Sequence, residues 1–123
     1  MKLIGLLFRF MDRKTKYLQD IVDSINAIDI HLQGKRNFII YLNNITMQRS
    51  VEREIEIIDD AMNRILKSTP HVNISSARKI VGQRNLIIHA YDSINNEMIW
   101  NVVVNHLPLL KIECEQLLKE AKS

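Results

Sequence analysis

The chain has 123 residues, 46% apolar and 25% charged, with 17 basic and 14 acidic side chains for a net charge of +3. That length predicts one domain with an adequate apolar core, and the composition excludes a disordered or collagen-like chain. The lone cysteine, Cys114, excludes a disulfide scaffold and a zinc-finger module.

The opening Met1–Phe8 is apolar but short, and Arg9, Arg13, Lys14 and Lys16 follow where a signal peptide would carry small residues. Residues 1–10 therefore read as an N-terminal extension, either a further stretch of helix or residues ahead of a true start at Met11. Residues 11–123 read as a single helical domain. No apolar run approaches the roughly 18 residues that span a bilayer, and a cytoplasmic protein is expected.

From Met11 to Leu32, apolar residues recur three and four apart (Tyr17, Leu18, Ile21, Val22, Ile25, Ile28, Leu32), which predicts a helix stopped by Gly34. A second segment carries Phe38 to Leu42 and Ile45. Ser50 is the candidate cap of a third helix holding Val51, Ile55, Ile58, Met62, Ile65 and Leu66, broken at Ser68-Thr69-Pro70. Asn73 or Ser75 opens a fourth helix to about Tyr91, and Asp92 to Asn96 forms a polar turn. The last helix runs from Glu97 past Leu118, bent or divided at Pro108. Val102-Val103-Val104 is β-branched, but its flanks keep helical spacing. The expectation is an all-α antiparallel bundle of four or five helices.

Most polar residues read as ordinary surface or core. No two of His31, His71, His89 and His106 are four apart, so a helical zinc pair is absent. Glu52, Glu56, Asp59 and Asp60 read as a solvated face with an Asp60–Arg64 pair, and Cys114 as a small core residue. The exception is Gln83-Arg84-Asn85-Leu86-Ile87-Ile88-His89-Ala90-Tyr91. At ~100° per residue, Asn85 and His89 share a face, with Arg84 and Tyr91 on a neighbouring stripe. Histidine takes or gives a proton near neutrality, and arginine holds a phosphate in bidentate fashion. The same four side chains could simply form an interhelical hydrogen-bond network, and because short patterns often match by chance, spacing alone favours that plainer reading. Arg36-Asn37-Phe38-Ile39-Ile40-Tyr41 repeats the start of the pattern with Tyr41 where His89 would stand, either as coincidence or as a weak echo between helices.

Arg84-Asn85-x3-His89-x-Tyr91 is similar to the R-x4-H-x-Y signature of the HepT-like HEPN toxins. Tyr17-Leu18-Gln19-Asp20-Ile21 resembles that family's opening helix, and Ile58-Asp59-Asp60-Ala61 its Ile-Gly-Glu-Ala, with aspartates in place of the glycine and the glutamate. Ile94-Asn95, Trp100 and Leu107-Pro108-Leu109-Leu110 resemble its closing pattern.

The resemblance implies a HEPN bundle paired as a two-fold homodimer, whose motif helices meet at a cleft. It implies a metal-independent endoribonuclease acting on RNA (tRNA or mRNA), with no cofactor of its own. His89 would activate the 2′-hydroxyl or protonate the leaving oxygen, Arg84 would hold the scissile phosphate, and Asn85 would orient it. Arg78 and Lys79 are candidate RNA-backbone contacts beside the plainer reading of a solvated face. It further implies a type VII-like toxin–antitoxin pair, in which a cognate minimal nucleotidyltransferase antitoxin uses ATP to adenylylate Tyr91. The alternative is a catalytically silent HEPN scaffold or nucleotide-binding module that supports such a nucleotidyltransferase.

Overall fold

The computed structural model describes residues 2–75 and 96–122, with side chains from 13 to 75 and from 96 to 121. The described residues are helical, with short connections and no strand, in agreement with the all-α expectation. Helix α1 spans Lys2–His31, α2 Phe38–Leu42 and α3 Ile45–Ser68; α4 spans Asn96–Asn101, a π-helical stretch Val102–His106 follows, and α5 spans Leu107–Lys122. The helix expected from Met11 thus begins at Lys2. Of the fourth helix expected between Asn73 or Ser75 and Tyr91, and the turn after it, residues 76–95 lie outside the described residues.

The helix ends follow from local hydrogen bonding. Helix α1 closes in a Schellman motif: the Gln33 N–H donates to the Ile30 carbonyl at 2.9 Å, and the Gly34 N–H reaches the Asp29 carbonyl at 3.0 Å. Gln33 (φ 57°) and Gly34 (φ 70°) are both left-handed, so the stop expected at Gly34 begins one residue earlier, on a side chain that tolerates it less well. Asn37 caps α2, its side-chain oxygen accepting from the Ile39 and Ile40 amides at 3.0 and 3.2 Å. Helix α3 starts from Asn44, not Ser50. The Asn44 side chain accepts from the Met47 amide at 3.0 Å, which carries the helix through Ile45–Met47 and leaves Ser50 inside it. At the far end the Thr69 N–H returns to the Ile65 carbonyl at 2.7 Å ahead of Pro70, as expected.

Pro108 shapes the last helix in a way the sequence only half discloses. In an α register its ring would press on the Val104 carbonyl, to which it has no N–H to donate. The chain widens instead: the Leu107 N–H bonds to the Val102 carbonyl, five residues back. The same register asks Pro108 for a donor to the Val103 carbonyl. Arg36 provides it, Nη1 lying 3.3 Å from that oxygen while Nη2 holds Asp29 Oδ1 at 2.8 Å. The valine run is therefore helical, and the division expected at Pro108 takes the form of the π-helical stretch Val102–His106 between α4 and α5.

Burial follows the helical stripes. Leu18, Ile21, Val22, Ile25, Ile28 and Leu32 of α1 are buried against Met47, Val51, Ile55, Ile58, Met62 and Ile65 of α3 and Leu107, Leu110, Cys114 and Leu118 of α5. Each such side chain contributes about 1.5–3 kcal/mol relative to exposure. Residues 13–17 of α1 line a groove with residues 60–68 of α3, and residues 16–20 line another with 53–64, so these two helices run antiparallel.

Replacing Arg36 by alanine leaves the Val103 carbonyl without its donor. The expected cost is about 1 kcal/mol, read as a lower urea midpoint with an unchanged m-value. An unaltered midpoint would mean that the guanidinium does not support the widened turn.

Candidate functional site

Arg84, Asn85, His89 and Tyr91 lie outside the described residues, as do Arg78 and Lys79. The structure does describe how both ends of segment 76–95 are attached to the bundle. Where the chain leads into it, Ser75 donates to both oxygens of the Glu113 carboxylate on α5, through its N–H at 2.9 Å and its hydroxyl at 3.0 Å. Where the chain leaves it, Ile99 is buried, and Trp100 packs against Phe38 and Tyr41 of α2, with ring centroids 5.8 and 5.3 Å away. These contacts secure α4 directly after the motif segment.

The second copy of the motif pattern is structural. Arg36 serves the widened turn, Asn37 caps α2, and Tyr41 is completely buried beside Trp100. Burial, reinforced by the Glu52 carboxylate, pushes the Tyr41 phenol above its ordinary pKa, and its hydroxyl has no hydrogen-bond partner among the described residues. Nothing in that set is poised to move a proton near neutrality.

Two surface expectations need correction. Asp59 is buried on the inner face of α3, one position beyond Ile58 and three before Met62, so the carboxylate ladder is not a uniformly solvated face. Asp60 is exposed, but the expected ion pair with Arg64 is not formed. The Arg64 guanidinium lies instead over the Tyr17 ring, 5.8 Å from its centroid. An exposed i,i+4 pair yields only ~0.3–0.5 kcal/mol, so an aromatic face competes with it on equal terms. Among the described residues, no group of three His, Cys, Asp or Glu side chains is placed to hold a metal ion. Cys114 is a buried core residue as expected, its thiol pushed up to about 12 by burial and then by Glu113 and Glu115.

Sequence reasoning missed one surface. Between α1 and the end of α3 lies an open groove of about 520 Å³, lined by Arg13, Lys14 and Tyr17 on one side and Asn63, Arg64 and Lys67 on the other, with Asp60 at its margin. Its residues were visible in the sequence as the adjacent Arg13 and Lys14 on one helix and Arg64 and Lys67, three apart, on the other. Which helices would face each other was not.

A family model described as Ribonuclease HepT-like matches residues 21–117. The chain belongs to this HepT-like ribonuclease family. It is 30% identical over 103 residues to "Putative RNase MJ1380" of Methanocaldococcus jannaschii, covering 80% of this chain and 91% of that protein. It is 29% identical over 104 residues to "Probable ribonuclease HepT" of Thermococcus cleftensis, covering 84% and 94%. A third relative, "Putative RNase TTE0752" of Caldanaerobacter subterraneus, is 24% identical over 108 residues, covering 86% and 95%. No solved structure matches the chain. Several HepT-like landmarks read from the sequence are core positions. Leu18 and Ile21, Ile58 and Ala61, and Leu107 and Leu110 are all buried, while Pro108 sits at the widened turn. No helix among the described residues is long and apolar enough to cross a membrane.

Proposed function

We propose that this chain is a metal-independent endoribonuclease serving as the toxin of a type VII-like toxin–antitoxin pair, and that it works as a two-fold homodimer. The observation that carries the reading is that Arg84-Asn85-x3-His89-x-Tyr91 falls within the span matched to the HepT-like ribonuclease family. The names of the relatives support the ribonuclease part of this reading.

The roles follow from the chemistry of the side chains. Arg84 binds the scissile phosphate and offsets the charge that builds on its oxygens as the 2′-hydroxyl attacks. Asn85 orients that phosphate through its amide. His89, whose imidazole can both take and give a proton, accepts the 2′-hydroxyl proton or delivers one to the departing 5′-oxygen. RNA lacks neither nucleophile nor leaving group, so the protein's contribution is alignment, charge and proton transfer.

Tyr91 is the point of control. Its phenolic oxygen attacks the α-phosphate of ATP on a partner nucleotidyltransferase, forming Tyr91-AMP, releasing pyrophosphate and giving up the phenol proton. The bound nucleotide then sets a negative phosphodiester two residues from His89, repelling the RNA backbone and filling space the substrate needs.

Expression without the antitoxin should arrest growth for the unaltered chain and not for His89→Ala. With purified proteins, RNA cleavage should fall by roughly 10²–10⁴-fold in the variant, while its helical content stays the same. Harmless expression of both, well produced and folded, would favour a silent module that supports a nucleotidyltransferase.

Co-expression with that partner should add the mass of one or more AMP groups to the peptide containing Tyr91, and not to the same peptide of Tyr91→Phe. An unmodified Tyr91 beside an active partner would overturn the control mechanism.

A further inference from the structure

We propose that the basic groove between α1 and the end of α3 is a binding track for single-stranded RNA, with the Tyr17–Arg64 pair as the platform on which one base stacks. The inference rests on the reading of the chain as an RNA-cutting protein and adds a second binding surface, separate in sequence from the motif.

Three observations carry it. The first is charge. Four cations (Arg13, Lys14, Arg64 and Lys67) line the groove against one carboxylate, Asp60, in a chain whose whole surplus is +3. The second is that, among the described residues, the charge of three of them, Lys14, Arg64 and Lys67, is not cancelled by ion pairs. In the adjoining groove of about 450 Å³, which shares Tyr17, Asp60 and Arg64 with this one, the other cations are matched by carboxylates: Lys16 pairs with Asp20 at 3.3 Å, and Arg53 with Glu56 at 3.4 Å.

The third observation is the aromatic ring set between the two helices. Tyr17 is half-buried, its inner side packed on the core, and the Arg64 guanidinium and the Lys16 ammonium each lie over the ring at 5.8 Å from its centroid. A planar aromatic and a planar cation beside a row of positive charge form the combination that binds an unpaired strand. The cations follow the phosphates, and the planar groups take a base face without reading its sequence. The groove's two walls come from antiparallel helices, which aligns the cations Lys14 and Lys67 at one end of it. An acidic protein segment would meet the charges but would have no use for the stacking surface.

The test uses full-length His89→Ala protein, so that RNA stays intact, and a fluorescent single-stranded RNA of mixed sequence, read by anisotropy from about 50 to 200 mM salt. Lys14→Glu with Lys67→Glu should weaken binding at least about tenfold and lower the slope of log affinity against log salt by ~0.7 for each phosphate no longer neutralised. Tyr17→Ala should weaken binding by about tenfold, while Tyr17→Phe should bind like the parent. Lys119→Glu, an exposed cation on α5, should have little effect, and thermal melts monitor folding throughout.

Equal binding by the groove variants and the parent overturns the proposal. So does loss of nucleotidyltransferase co-purification with RNA binding unchanged, which would assign the groove to the protein partner. A parent that binds no RNA overturns it as well. Failure of the nuclease reading is seen separately, as an absence of cutting by the chain that retains His89, and the binding series still decides the groove.

Discussion

The apolar stripe of α1 has to be covered from two sides, and most of the described structure follows from that requirement. Leu18, Ile21, Val22, Ile25, Ile28 and Leu32 cannot all be shielded by one helix, because the stripe is wider than a single line of contact. Helix α3 takes one flank and α5 the other. Laying α3 antiparallel along α1 brings residues 13–17 against residues 60–68, which creates the basic groove as a by-product of core packing. Laying α5 along α1 brings Val103, Leu107 and Pro108 to Ile25, Ile28, Asp29 and Arg36, around a small cavity of about 230 Å³. The arginine that completes the widened turn is available there because the Schellman turn after α1 has just reversed the chain.

The described residues on either side of segment 76–95 are each tied to the bundle. The leading end is fixed by Ser75 on Glu113, two charge-assisted hydrogen bonds to a single carboxylate. The trailing end is fixed by Ile99 and Trp100 in the aromatic cluster with Phe38 and Tyr41. The same residues that looked like an echo of the motif around Arg36 and Tyr41 thus help to secure α4 and the turn beyond it. Shared residue types at shared spacing arose here from different physical demands: capping, packing and filling a missing donor.

Much of the bundle was legible because helical periodicity is a strong signal over long stretches. The buried stripes of α1 and α3 are those the spacing implies, except that Tyr17 and Leu66 are only half-buried at the edge of the core. Helix starts were less legible where two capping residues competed: Asn44 and Ser50 both precede apolar residues, and only the backbone geometry chooses Asn44. Pro108 was visible as a disturbance, but its resolution through a five-residue register and a distant arginine was not, because the donor lies 67 residues away in the chain. The burial of Asp59 was hidden by its acidic neighbours, although its position between Ile58 and Met62 already marked the inner face. For the motif the sequence remains the source. Arg84, Asn85, His89 and Tyr91 were recognisable by type and spacing together with the family resemblance, whereas the homodimer is an expectation of that resemblance alone. The basic groove was illegible, since it is made by pairing two helices whose register no local pattern reveals.

The proposed chemistry has RNA cut by attack of its own 2′-hydroxyl, with protein side chains alone moving the protons. The chemistry of the RNA ends, produced by the purified chain in the presence of excess chelator, addresses this at its root. Undiminished cleavage leaving a 2′,3′-cyclic phosphate and a 5′-hydroxyl is expected. Ends carrying a 3′-hydroxyl and a 5′-phosphate, or activity abolished by the chelator and restored by a divalent ion, would contradict it.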